Sequence, residues 1–197
     1  MTIRAEDVKT LRDMTGAGMM ECKRALQKVD GDLEKAKEEL RKSGLALADK
    51  KSGREAKQGR VFAYIHPGAQ VGVLVEVSCE TDFVARTDEF SAFCKEIAMQ
   101  IAASRPVAVS REEIPSDLVA KEREIYREQA KQSGKPEKVW DKIIDGRMEK
   151  YYRETCLLEQ SYIRDPDKTV MDVLKETVAK LGENIVVRRF AHFRVGE

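Results

Sequence analysis

Alternating valines and helical stripes, in separate stretches of one chain, predict an α+β fold. Cys22, Ala25, Leu26 and Val29 recur at i, i+3, i+4 and i+7, the spacing of one buried helix face. Val71, Val73, Val75 and Val77 alternate, which puts all four on one side of a strand. Helical periodicity returns between Glu112 and Glu154 and again from Val170 to Leu181. Helices and strands are therefore segregated rather than arranged in a βαβ rhythm.

Residues 1–44 read as a small module of three short helices. Val8 and Leu11 mark the first, which stops at Thr15-Gly16-Ala17-Gly18; the Cys22 stripe is the second. Asp32 is placed to cap the third, which buries Leu33, Ala36 and Leu40 and is expected to end at Gly44. Between residues 41 and 60 seven basic residues face two acidic ones, and Ser52-Gly53 and Gly59 interrupt any helix. That composition reads as a solvated basic linker, assigned to 45–59, or as a surface for an acidic partner.

Val61 to His66 and Val71 to Val77 flank the turn-forming Pro67-Gly68-Ala69-Gln70, which predicts a hairpin. Thr87 can cap a helix that buries Phe90, Phe93, Ile97 and Ile101 and ends near Pro106. Residues 111–155 offer two helical arms broken at Ser133-Gly134-Lys135-Pro136. Leu118 and Ile125, one heptad apart, mark the first; Trp140, Ile144, Met148 and Tyr151 mark the second. Arg111 to Glu154 carries eleven basic and eleven acidic residues, a charge-laced surface suited to a projecting antiparallel helix pair. The closing helix and a strand through Asn184 to Phe190 are expected to rejoin the hairpin, so that 60–110 and 156–197 form one α+β core.

Composition narrows the function classes. Lys+Arg is 36 against 35 for Asp+Glu, a net charge of +1, which argues against a dedicated nucleic-acid binder. The charged share, 36%, exceeds the ~25% typical of globular chains and calls for long solvated faces. Cys22, Cys79, Cys94 and Cys156 form no C-x-x-C pair, and with only His66 and His192 beside them a closed zinc site is disfavoured. Met1-Thr2-Ile3-Arg4-Ala5-Glu6-Asp7 lacks the apolar stretch of a secretory signal, and no run approaches the ~20 apolar residues of a membrane span. A soluble cytoplasmic chain without cofactor or metal is expected. Phosphate-loop, dinucleotide, zinc-protease and serine-hydrolase motifs are all missing from the sequence. Nothing in the sequence brings Cys79 and His66 together as a nucleophile pair. Binding, not catalysis, is the expected mode of action.

Two stretches attract attention. In Gly16-Ala17-Gly18-Met19-Met20, glycines precede two methionines at a helix start; they either fill a small core or form a soft docking surface. In Thr81-Asp82-Phe83-Val84, periodicity alone favours a capping acid and a core aromatic.

Leu11 to Leu26, with its Arg12-Asp13-Met14-Thr15-Gly16-Ala17-Gly18-Met19-Met20 run, resembles the opening helices of the elongation factor Ts family. Glu80-Thr81-Asp82-Phe83-Val84-Ala85-Arg86 resembles its T-D-F-V signature. Ser133 to Pro136 is similar to the tip of its coiled-coil arm, and Leu181 to Phe190 to its closing strand. The four matches run in family order along the whole chain. The resemblance implies a helical module akin to ubiquitin-associated domains, a linker, an α+β core and a coiled-coil protrusion. It implies guanine-nucleotide exchange on elongation factor Tu, in the bacterial cytoplasm or, after removal of a transit peptide, an organellar matrix or stroma. Thr81, Asp82, Phe83 and Val84 would act near the partner's magnesium and phosphate site, with Phe83 as the wedge. Arg12, Met19 and Met20 would dock the helical module. Longer family members carry the core twice where this chain has room for one copy, which implies a homodimer. The alternative is a protein-binding adaptor built on the helical module, without exchange activity.

Overall fold

The computed structural model describes residues 3–197; Met1 and Thr2, which open the expected helical module, lie outside the described residues. The described residues form eight α-helices, a three-stranded sheet and a two-stranded ribbon, an α+β fold. They divide into two compact units, one of residues up to 60 with 77–93 and 172–186, the other of 61–76, 94–171 and 187–197.

The first unit opens with α1 (Ala5–Thr15), α2 (Met19–Lys28) and α3 (Leu33–Lys51). Gly16 ends α1 in the left-handed region at φ 68°, donating its N–H to the Arg12 carbonyl at 2.7 Å. Asp32 caps α3 by accepting the Lys35 N–H at 3.0 Å. Val8, Leu11, Cys22, Ala25, Leu26 and Ala36 make one buried cluster, with Val29, Leu33 and Leu40 packed on it.

The expected stop at Gly44 does not occur. α3 continues to Lys51, so the first part of the basic stretch is helical. A Cβ on Gly44 would stand 3.1 Å from the Cβ of Ala179, which belongs to α8 (Val170–Leu181). The glycine therefore marks close helix contact, and that packing offsets its helix-propensity cost of ~0.5–1 kcal/mol. Lys175 pairs with Asp49 at 2.7 Å along the same contact.

The sheet runs β1 (Gln58–Ile65), β2 (Val71–Cys79) and β5 (Val186–Arg194), with β2 in the middle. His66 and Val71 close the hairpin, the His66 N–H donating to the Val71 carbonyl at 2.9 Å. Val73, Val75 and Val77 are fully buried, as the alternation requires. The closing strand extends to Arg194, four residues past the expected Phe190. After the four-residue α4 (Asp82–Ala85), Thr87 accepts the Phe90 N–H at 3.2 Å and starts α5 (Asp88–Ser104). Phe90, Phe93, Ile97 and Ile101 are buried along α5.

In the second unit, buried Gln100 binds the short β3 segment (Ser161–Tyr162). Its amide donates to the Gln160 side chain and the Ser161 carbonyl, both at 3.2 Å, and its oxygen accepts the Ile163 N–H at 2.9 Å. β3 pairs antiparallel with β4 (Asp165–Thr169). No apolar alternation announces this ribbon, because Asp165-Pro166-Asp167-Lys168 is three charged residues and a proline. The Tyr162 hydroxyl donates to Glu96 at 2.6 Å.

α6 (Ser116–Gln132) and α7 (Trp140–Thr155) are joined through Gly134, at φ 68°. Ala130, Ile144 and Met148 are the buried centre between them, flanked by Val119, Tyr126, Trp140 and Tyr151. Leu118 and Ile125, expected at this seam, are exposed instead. The stripe facing α7 is one residue further on, Val119, Tyr126 and Ala130, so the bulkier aliphatic residues point about 100° away. Arg111 grips the base of the pair, donating to Glu149 at 2.7 and 2.8 Å and to Glu159, and stacking 4.4 Å over Tyr152.

This register predicts unequal costs. Met148→Ala should destabilise the chain by ~2–5 kcal/mol, whereas Leu118→Ser with Ile125→Ser should stay within ~0.5 kcal/mol per site in thermal or urea unfolding. Equal losses would place the seam on the wrong stripe. A pH effect follows from Tyr162, whose phenol is pushed up to about 12 by burial and then by the hydrogen bond to Glu96. The folded state holds the proton more tightly, so this stabilisation is complete below the ordinary tyrosine value of ~10 and disappears as pH rises through about 12. Tyr162→Phe should therefore lose less stability than the wild type between those limits in chemical unfolding at stepped pH.

Candidate functional site

The segment Thr81-Asp82-Phe83-Val84 forms the corner between β2 and α4. Cys79 is the last residue of the strand, fully buried, and its S–H donates to the Thr81 carbonyl at 3.1 Å. The Thr81 hydroxyl accepts the Val84 N–H at 3.4 Å, capping α4. Asp82 pairs with Arg86 one turn on, at 2.9 Å, and Val84 is half-buried. Phe83 is 80% exposed. The core position that periodicity favours for this ring is thus corrected: its side chain lies outside the interior.

The corner is held from a distance. Glu183 accepts the N–H groups of Glu80 and Thr81 at 3.1 and 3.0 Å on one oxygen and the Thr81 hydroxyl at 2.6 Å on the other. Glu80 answers by accepting the Asn184 N–H at 2.6 Å, and Arg54 stands 3.7 Å from its second oxygen. Buried Asn184 donates its amide to the Ser52 and Arg54 carbonyls at 3.3 and 2.7 Å. Gly182, left-handed at φ 75°, turns the chain out of α8 to deliver these two residues. Gly59 is constrained as tightly, since a Cβ there would meet the Val77 carbonyl oxygen at 2.1 Å.

Sequence reasoning located the corner but missed Glu183 and Asn184 as its supports. Both read as a polar connection between helix and strand, and no local signal reports a contact across 102 residues.

Of the second group, Met19 and Met20 open α2 with 45% and 64% of their surfaces exposed, which excludes core filling. Gly18 precedes them as N-cap, its N–H donating to Glu21 at 3.3 Å. Arg12 is exposed on α1. Both groups belong to the first unit.

The Cys79 thiol is pushed up by burial and by the negative charge of Glu183, which makes it a poor nucleophile. His66 shares its Nδ1 with the Tyr64 hydroxyl at 3.0 Å. Among the described residues, no group of three or more His, Cys, Asp or Glu side chains could hold a metal ion, and no helix is long and apolar enough to cross a membrane. An exposed aromatic on a braced corner and an exposed methionine pair stand on the surface of a small α+β fold.

Comparison with known proteins identifies the family. The family model described as elongation factor TS matches residues 9–197. Elongation factor Ts of Thermoanaerobacter sp. (strain X514) is 62% identical over 99% of this chain and 96% of its own length. That of Caldanaerobacter subterraneus subsp. tengcongensis is 60% identical, over 99% and 98%. That of Geobacter sulfurreducens is 56% identical over the whole chain and 91% of the relative. The chain belongs to the elongation factor Ts family, one of the families of translation elongation factors.

Proposed function

We propose that this chain is a guanine-nucleotide exchange factor for elongation factor Tu and has no catalytic residues of its own. The observation that carries the reading is Phe83, a large ring left four-fifths exposed on a capped, hydrogen-bonded corner. On this reading Phe83 wedges between helices of the partner's GTPase domain, with Asp82 beside it and Thr81 and Val84 setting its approach. Magnesium and phosphate contacts loosen there, and GDP leaves. Arg12, Met19 and Met20 dock residues 1–44, the ubiquitin-associated-like module, on the same domain. Residues 111–155 are the coiled-coil protrusion of a core made from 60–110 and 156–197. The setting is the bacterial cytoplasm.

Energetics favour a division of labour. A ~10⁴-fold weakening of nucleotide binding requires ~5.5 kcal/mol of differential affinity, and nucleotide must weaken the factor equally. Burying one aromatic ring contributes ~1.5–3 kcal/mol. Phe83 therefore needs a separate docking contact, and the exposed methionines suit one because their unbranched thioethers adapt to an irregular surface.

A homodimer completes the proposal. The three-stranded sheet leaves β1 and β5 as edges, and Ile65, Leu74, Phe193 and Val195 are exposed around one groove of the second unit. A second copy would cover this surface symmetrically.

Stopped-flow release of fluorescent GDP from elongation factor Tu tests the exchange reading. The wild type should accelerate release. Phe83→Ala should slow the saturated rate roughly 10- to 100-fold, at ~1.4 kcal/mol per tenfold, with a melting point close to the wild type because the ring is outside the core. Met19→Ala with Met20→Ala should instead raise the concentration needed for half-maximal release. Binding without any acceleration would leave the adaptor reading in possession. Sedimentation equilibrium at tens of micromolar should give a dimer; monomer alone would mean a Kd weaker than ~10⁻⁵ M and defeat the symmetric assembly.

A further inference from the structure

We infer that Glu183 is a positioning residue for the Thr81-to-Val84 corner, the group through which the exposed Phe83 ring is held against load; the inference rests on the exchange reading. α4 spans only Asp82–Ala85, too short to be stable by itself, and Phe83 has little packing of its own. What fixes the ring must be backbone geometry. Glu183 supplies it with three acceptor contacts, to the Glu80 and Thr81 N–H groups and the Thr81 hydroxyl.

The hydroxyl contact does a second job. By accepting the Thr81 O–H at 2.6 Å, Glu183 orients the hydroxyl so that a lone pair faces the Val84 N–H, 3.4 Å away. One carboxylate thus sets both the entry of the corner and its helical cap. Its own position is fixed on either side. The Gly182 N–H donates to the Val178 carbonyl at 2.9 Å, and Asn184 is tied to the residues that follow α3. A push on the ring passes from Thr81 to Glu183 and on to the end of α8. Without that path the corner yields, so the ring still touches the partner while distorting it less.

The test compares Glu183→Ala with Glu183→Gln in the full chain. Glutamine keeps an oxygen for the two N–H groups but its NH2 cannot accept the Thr81 O–H, so it should fall between alanine and the wild type. Alanine should lower the saturated GDP-release rate about tenfold while shifting the half-saturating concentration less than about threefold. Because Glu183 acts through the ring, adding Glu183→Ala to Phe83→Ala should cost little more than Phe83→Ala alone. In the unbound chain, amide hydrogen exchange at Thr81 and Val84 should quicken in Glu183→Ala with most other amides unchanged. A Glu183→Ala variant that keeps the wild-type saturated rate, or in which Phe83→Ala has its full separate effect, would overturn the inference. A wild-type chain that accelerates no release would defeat the exchange reading instead. Unaltered exchange at Thr81 and Val84 would then refute the positioning role independently.

Discussion

Two glutamates that accept main-chain N–H groups hold the corner between β2 and α4. Glu183 binds the backbone of Glu80 and Thr81, and Glu80 binds the backbone of Asn184, a reciprocal clasp between segments 103 residues apart. Hydrogen bonds to charged groups contribute ~1.5–3 kcal/mol each, and losing the acceptor leaves sheltered donors without a partner. The two carboxylates repel, yet four N–H or O–H donors point at them and Arg54 stands beside Glu80. The clasp joins the exit of β2 to the exit of α8, and Asn184 extends it to the end of α3. Helices far apart in sequence therefore meet at the base of α4.

Three phenylalanines show how this corner departs from simple periodicity. Phe83, Phe90 and Phe93 are spaced so that one unbroken helix would carry them on nearly one face. Thr81 caps α4 and Thr87 caps α5, and the break between the two helices resets the phase. Phe90 and Phe93 go into the core while Phe83 stays out. The burial energy of that third ring is not used in folding.

What the sequence revealed follows a physical divide. Asp32 and Thr87 as caps, Gly16 as a helix stop and the limits of α8 were legible because each depends on neighbours within one turn. The valine alternation of β2 was legible for the same reason. Gly44 was misread, since whether a helical glycine stops a helix or admits a neighbour depends on Ala179, 135 positions away. The seam of α6 was misread because periodicity supports two adjacent stripes, and only the partner helix selects Val119 and Tyr126 over Leu118 and Ile125. The stretch of Asp82 and Phe83 stands out in the sequence, but only the family resemblance turned Phe83 from a core ring into an outward one; Glu183 could not be assigned its role by any local pattern.

Stiffness and adaptability are opposed demands, and on the proposed exchange reading this chain would meet them with different residue chemistry. A group that must distort a partner needs a fixed direction, because any yielding in its support lowers the energy it can transmit. A group that must only hold the partner gains from rotatable bonds that fit an irregular surface. Phe83 has two side-chain torsions and stands on a corner capped by Thr81 and clasped by Glu183. Met19 and Met20 have three torsions each and begin a helix after Gly18, on a module whose buried cluster is formed by other residues. On the proposed exchange reading, equal affinity for both partner states shifts neither, so the methionine contact would supply binding without exchange and the differential energy would come from the rigid corner. The hydrogen bonds of Glu183 and the exposure of Phe83 are therefore two halves of one requirement: the ring remains free of its own core, and the backbone beneath it is not free to move.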